Sequence, residues 1–203
     1  MAFVKKAPPI SLAEPQGEPA LPELLENLRS DDSSARLQAA HKLAAYPDTV
    51  AALTERLPHE DSIAVRTAIL TSLLRINTTE AVESLLPLLA IDDASLRNDI
   101  ISALQQMQLV SLPHVKKLLS HENPDMRIYG IYILSAIEHP SVCESLLKII
   151  ESESHINVWG AALDALAECG TRDMIPTIES SLQRFDNEYG QFAVKFAIKR
   201  ISG

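Results

Sequence analysis

Four evenly spaced arginines set the frame of this chain. Arg36, Arg66, Arg97 and Arg127 follow one another at steps of 30, 31 and 30 residues, each closing an equivalent segment: Ser33-Ser34-Ala35-Arg36, Ile63-Ala64-Val65-Arg66, Ala94-Ser95-Leu96-Arg97 and Pro124-Asp125-Met126-Arg127. A further step of 32 brings the same slot to Trp159, and another to Gln191. Seven places after each slot stand Leu43, Leu73, Leu104, Leu134, Leu166 and Ile198; ten places after stand Tyr46, Ile76, Met107, Ile137, Cys169 and Ile201. Five places before stand Asp31, Asp61, Asp92, Glu122, Ser154 and Asp186. A period of this size marks an array of small units, none of which buries its apolar face alone.

Each unit holds two helical patterns. Ala39, Ala40 and Leu43, like Ile100, Ile101 and Leu104, fall at the spacing of one apolar stripe on a second helix. Upstream, Leu21, Leu24, Leu25 and Leu28 form the stripe of a first helix, matched by Val82, Leu85, Leu86 and Leu89 and by Ile175, Ile178 and Leu182. Pro22 and Pro113 are expected in first turns, whereas Pro87 and Pro176 are expected further in, where they bend their helices. Strand-like alternation is missing throughout. The expectation is an all-α protein, a right-handed α-solenoid of about six helical hairpins over residues 21–49, 50–80, 81–110, 111–140, 141–171 and 172–203. Residues 1–20, punctuated by Pro8, Pro9, Pro15 and Pro19, read as a flexible arm.

Repeats of this length, with an Asp-Asp-x-x-x-Arg turn before an Ala/Leu-rich helix, resemble short bacterial HEAT repeats, the kind also found in phycobilisome lyase subunits. The resemblance covers residues 21–203 and implies a fold in which stacked hairpins share one core. It implies a tetrapyrrole-handling chaperone as the alternative function, although no residue constellation transfers as a bilin site.

The acidic and arginine columns, Asp31, Arg36, Asp61, Arg66, Asp92, Arg97, Glu122 and Arg127, are expected to form a structural ladder. Each acid would cap its turn and meet an arginine of its own or a neighbouring copy. In the fifth copy both columns fail together, at Ser154 and Trp159, as expected if the two residue types depend on each other.

Other chemistries find little support. His59-Glu60 and His121-Glu122 are similar to the iron-holding His-Glu pairs of deoxyhypusine hydroxylase, but here they fall in turns, with an intervening repeat between them. Cys143 and Cys169 read as small core residues rather than a disulfide framework, which makes a reducing cytoplasm the expected location. The chain carries 27 acidic against 18 basic residues, and a net charge of −9 opposes binding to nucleic acid. Lacking an apolar run of about 18 residues, the sequence gives no reason to expect a membrane span, and no apolar stretch follows Lys5 and Lys6 to suggest a signal peptide. No catalytic residue, cofactor or metal is expected.

The aromatic residues are unevenly placed: seven of the nine lie from Tyr129 onward. Tyr129 and Tyr132 fall on one face of their helix, at positions held elsewhere by polar or small residues such as Gln38, His41, Asp99 and Ser102. The expected function is a non-catalytic scaffold or adaptor binding a protein partner on its second-helix face, with Tyr129, Tyr132, Trp159 and Phe192 as the contact residues. The abrupt end at Ile201-Ser202-Gly203 adds the expectation of a homodimer through the C-terminal end.

Overall fold

A computed structural model describes residues 20–203; the expected N-terminal arm, but for Ala20, lies outside the described residues. Among the described residues twelve α-helices form six hairpins: α1 (Leu21–Asn27) with α2 (Ser33–Leu43), α3 (Val50–Arg56) with α4 (Ile63–Ile76), α5 (Thr79–Leu85) with α6 (Ala94–Gln106), α7 (Gln108–Leu118) with α8 (Pro124–Ser135), α9 (Pro140–Ser152) with α10 (Ile156–Cys169), and α11 (Ile175–Ser181) with α12 (Glu188–Ser202). The second helices, α2 through α12, pack each on the next in one layer, and the first helices form the other layer. The fold is the expected α-solenoid.

The shared core lies between these layers. Leu43, Leu73, Leu104, Leu134 and Leu166, the column seven places after the slot, are all fully buried. At about 25 cal/mol for each Å² of apolar surface removed from water, this column runs as a continuous source of cohesion from the first repeat to the fifth.

Side-chain caps start four of the six second helices, one residue later than the acidic column suggests. Asp32, Asp93, Asn123 and Asn187 accept the backbone N–H groups of Ser34, Leu96, Asp125 and Gly190. A capping side chain must reach the orphan amides two or three positions on, and the fourth place before the slot satisfies that geometry. The columnar Asp31, Asp92 and Glu122 therefore do not cap; all three are exposed.

Prolines shape the first helices, not always as expected. Pro22 and Pro176 lie in the first turns of α1 and α11, so Pro176 bends nothing. Pro87 ends α5 and turns Leu86–Ala90 into 3-10 helix, and Pro58 does the same over Leu57–His59. Pro113 lies inside α7, because Gln108, at φ 45°, starts that helix before the expected boundary at residue 111.

Cys143 and Cys169 are joined as a disulfide with Cα atoms 6.0 Å apart. This corrects their reading as separate core residues. The pair links the first turn of α9 to the last residue of α10, closing the fifth hairpin on itself at the end away from its turn. No described helix is long and apolar enough to cross a membrane.

Candidate protein-binding face

The arginine columns have a defined job. Each slot arginine reaches back to a carbonyl six places earlier: Arg36 to Ser30, Arg66 to Glu60, Arg97 to Ile91 and Arg127 to His121. In two copies the same guanidinium also grips a glutamate of the following repeat with two hydrogen bonds. Arg36 donates to both carboxyl oxygens of Glu60 at 2.8 Å, and Arg127 to those of Glu153 at 2.9 and 3.0 Å. Arg66 meets Asp93 at 3.4 Å instead. The expected pairing across copies is present, but the acids are mainly Glu60 and Glu153 rather than the Asp61, Asp92 and Glu122 column; Asp61 makes a 3.2 Å contact with Arg36 while remaining exposed.

Glu60 is enclosed, and burial alone would raise its carboxyl. Hydrogen bonds from Arg36, the Ser62 amide and Arg56 outweigh burial and hold it at about 2. The Arg36 guanidinium is raised above its ordinary value, first by that hydrogen bond to Glu60. The Glu of the His59-Glu60 pair is thus committed to two arginines.

Trp159 is 0% exposed, which removes it from the expected contact residues. Its ring lies 4.8 Å from that of Phe185, tilted by 42°, and its Nε1–H donates to Ser181 Oγ at 3.1 Å. The copy that lost its arginine has replaced an ion pair with a pair of rings. The carbonyl six places before this slot, that of Glu153, is taken by Arg184 instead, which also donates to the carbonyls of Ile150 and Glu151.

The other expected contact residues divide. Tyr129 is half-buried, with the Arg97 guanidinium 5.3 Å from its ring centroid, a cation–π contact between successive second helices. Tyr132 is 50% exposed and Phe192 67% exposed. Phe192 stacks on Phe196, one turn along α12, with centroids 6.2 Å apart. Tyr189, 47% exposed, was not anticipated from the sequence. Its ring lies over Gly160 of α10, where a Cβ would stand 3.1 Å from the Tyr189 Cζ, with the hydroxyl closer still. The sequence signal was Gly160 itself, in a column filled elsewhere by Leu37, Thr67, Asn98, Ile128 and Phe192.

Residues 17–105 match the sequence model of HEAT repeats. No curated protein matches the chain. Among solved structures, one of tubulin recruitment and assembly by microtubule polymerases with Tumor Overexpressed Gene (TOG) domain arrays is similar at a TM-score of 0.57 and 15% identity, over 95% of this chain and 49% of that one. The archaeal HEAT-like repeats protein from Thermococcus onnurineus NA1 gives 0.46 and 14%, over 90% and 87%. The complex of CpcE and CpcF of phycocyanin lyase from Nostoc sp. PCC7120 gives 0.39 and 17%, over 98% and 100%. The likeness is one of fold: the chain is an α-solenoid, and its similarity to HEAT repeats covers residues 17–105.

Proposed function

We propose that this protein is a non-catalytic scaffold that binds a protein partner on its second-helix layer, over α8, α10 and α12. The observation that supports the reading is the exposure of Tyr132, Tyr189, Phe192 and Phe196 on α8 and α12. Aromatic side chains of this kind anchor protein interfaces, because each buries a large area while fixing only two torsions. The four exposed rings lie in the last three repeats, whereas the outward positions of α2 and α6 carry Gln38, His41, Asp99 and Ser102.

Photo-crosslinking tests this function. A photoreactive phenylalanine analogue placed at Tyr132 or Phe192 should trap the same partner band in native lysate, and one placed at Gln38 should not. Equal labelling from all three positions, or from none, would remove the proposed face.

A further inference from the structure

Tyr189 covers Gly160 of α10, with Asp164 and Tyr132 near enough to act on its hydroxyl. Gly160 and Asp164 stand one turn apart on α10, and the Tyr189 ring reaches across from α12 to cover Gly160. Tyr132, on the adjacent α8, occupies the same position within its repeat as Asp164. The Tyr189 hydroxyl is raised above its ordinary value by desolvation, and further by the nearby Asp164 carboxylate and Tyr132. Partial desolvation raises the Asp164 carboxyl as well.

The neighbouring repeat shows one tyrosine of this layer already taking a cation. Tyr129, also on α8, has the Arg97 guanidinium over its ring. Around Asp164 no internal cation plays that part: among the described residues, no lysine, arginine or histidine nitrogen lies within 4.0 Å of its carboxylate, whereas nearby Glu168 is engaged by Arg200 at 2.6 Å. An exposed carboxylate without such a partner, on a surface that also carries two tyrosines, favours a cation, which a carboxylate and an aromatic ring both attract.

We infer that Tyr132, Asp164 and Tyr189 form a slot for a positively charged side chain, an arginine or lysine, presented by a protein partner. The inference rests on the scaffold reading above and specifies the chemistry of the partner at one point. Beyond Tyr189, the groove between the starts of α10 and α12 is lined by Ile156, Asn157, Asn187 and Glu188. Its amide side chains and additional carboxylate suit the peptide that carries the cation.

The test uses the full chain, labelled with nitrogen-15, and two probes: acetyl-Gly-Arg-Gly-amide and its citrulline counterpart, which keeps the shape and lacks the charge. The arginine peptide should shift the amides of Gly160, Ala161, Asp164 and Tyr189, with a dissociation constant of about 1 mM. The citrulline peptide should bind at least about tenfold more weakly. Asp164→Asn, at an exposed position, and Tyr132→Leu should each weaken the arginine peptide about tenfold, with the remaining spectrum unchanged. Gly160→Ala, which displaces the Tyr189 ring, should do likewise. Equal binding of both peptides, unchanged affinity in Asp164→Asn, or no shift at these four amides overturns the slot. If that happens while the crosslinked partner is still trapped, the slot alone falls. Arginine binding at these amides with no partner trapped removes the scaffold reading and leaves the slot standing.

Discussion

Trp159 packs on Phe185 in the same two repeat positions that elsewhere join Arg36 to Glu60 and Arg127 to Glu153. The spacing is 26 residues for Trp159–Phe185 and for Arg127–Glu153, and 24 for Arg36–Glu60. One structural task, tying a slot to the next turn, is performed by two different chemistries. Replacing a buried ion pair with apolar residues of similar volume is often neutral or stabilising. Leaving half of either pair in place is costly. Trp159→Arg alone should therefore destabilise the chain by about 3 kcal/mol or more. Adding Phe185→Glu should recover part of that loss, read as a positive coupling in a double-mutant cycle of urea unfolding.

Glu60 is the carboxylate with most to lose. Glu60→Ala leaves Arg36 buried without its main partner, and a cost of about 3–5 kcal/mol is expected. Replacing Arg36 and Glu60 together with methionine and leucine should cost much less, measurable as a denaturation midpoint close to that of the parent.

The same pair predicts an acid response. Its folded carboxyl, at about 2, lies below its ordinary value of 4.5. A depressed carboxyl contributes stability that is complete above the ordinary value and is lost as pH falls toward the folded one. Thermal stability should therefore decline between pH 4.5 and about 2, by up to roughly 3 kcal/mol from this group. Glu60→Gln should show a shallower decline over the same interval.

Arg184 serves a turn that has no slot arginine of its own. Arg184→Ala leaves the carbonyls of Ile150, Glu151 and Glu153 without this donor, at a cost of about 1–3 kcal/mol. Hydrogen exchange should locate the effect, with faster exchange in α9 and α11 and little change in α2 or α4.

The Cys143–Cys169 disulfide closes a loop with a sequence separation of 26. Limiting the unfolded chain in this way stabilises by about 3 kcal/mol in the chain-entropy model. Reduction should lower the unfolding temperature of the parent and leave that of the Cys143→Ser/Cys169→Ser double mutant unchanged. An intact mass two hydrogens below the reduced chain checks the bond directly.

Much of this architecture was legible because it repeats. The arginine slot, the leucine seven places on and the hairpin count all recur, so each copy confirmed the others. Features held by a single copy were harder to read. Glu60 and Glu153 share a column with Ser30, Ile91 and His121, so nothing marked them as the arginine partners. Trp159 read as exposed because the burial of its slot depends on Phe185, one repeat away. Tyr189 gave no signal of its own, since its position follows from the missing side chain at Gly160 on a different helix. The cysteines meet because α9 and α10 are antiparallel and of similar length, which the spacing of two residues does not express.

The forward reach of the slot residues makes the two ends of the molecule unequal. Removing the first hairpin would take Arg36 from Glu60 but leave Arg56 bonded to it at 3.0 Å, so the shortened stack would begin on a carboxylate that still has a counter-ion. Removing the last hairpin would strip Phe185 and Ser181 from Trp159 and Arg184 from three carbonyls at once, leaving a bare indole and an unserved turn. The two ends thus differ in the polar groups they would leave unmet: at the front Ser72 would lose Ala40 while Glu60 kept Arg56, whereas at the back an indole and three carbonyls would lose theirs.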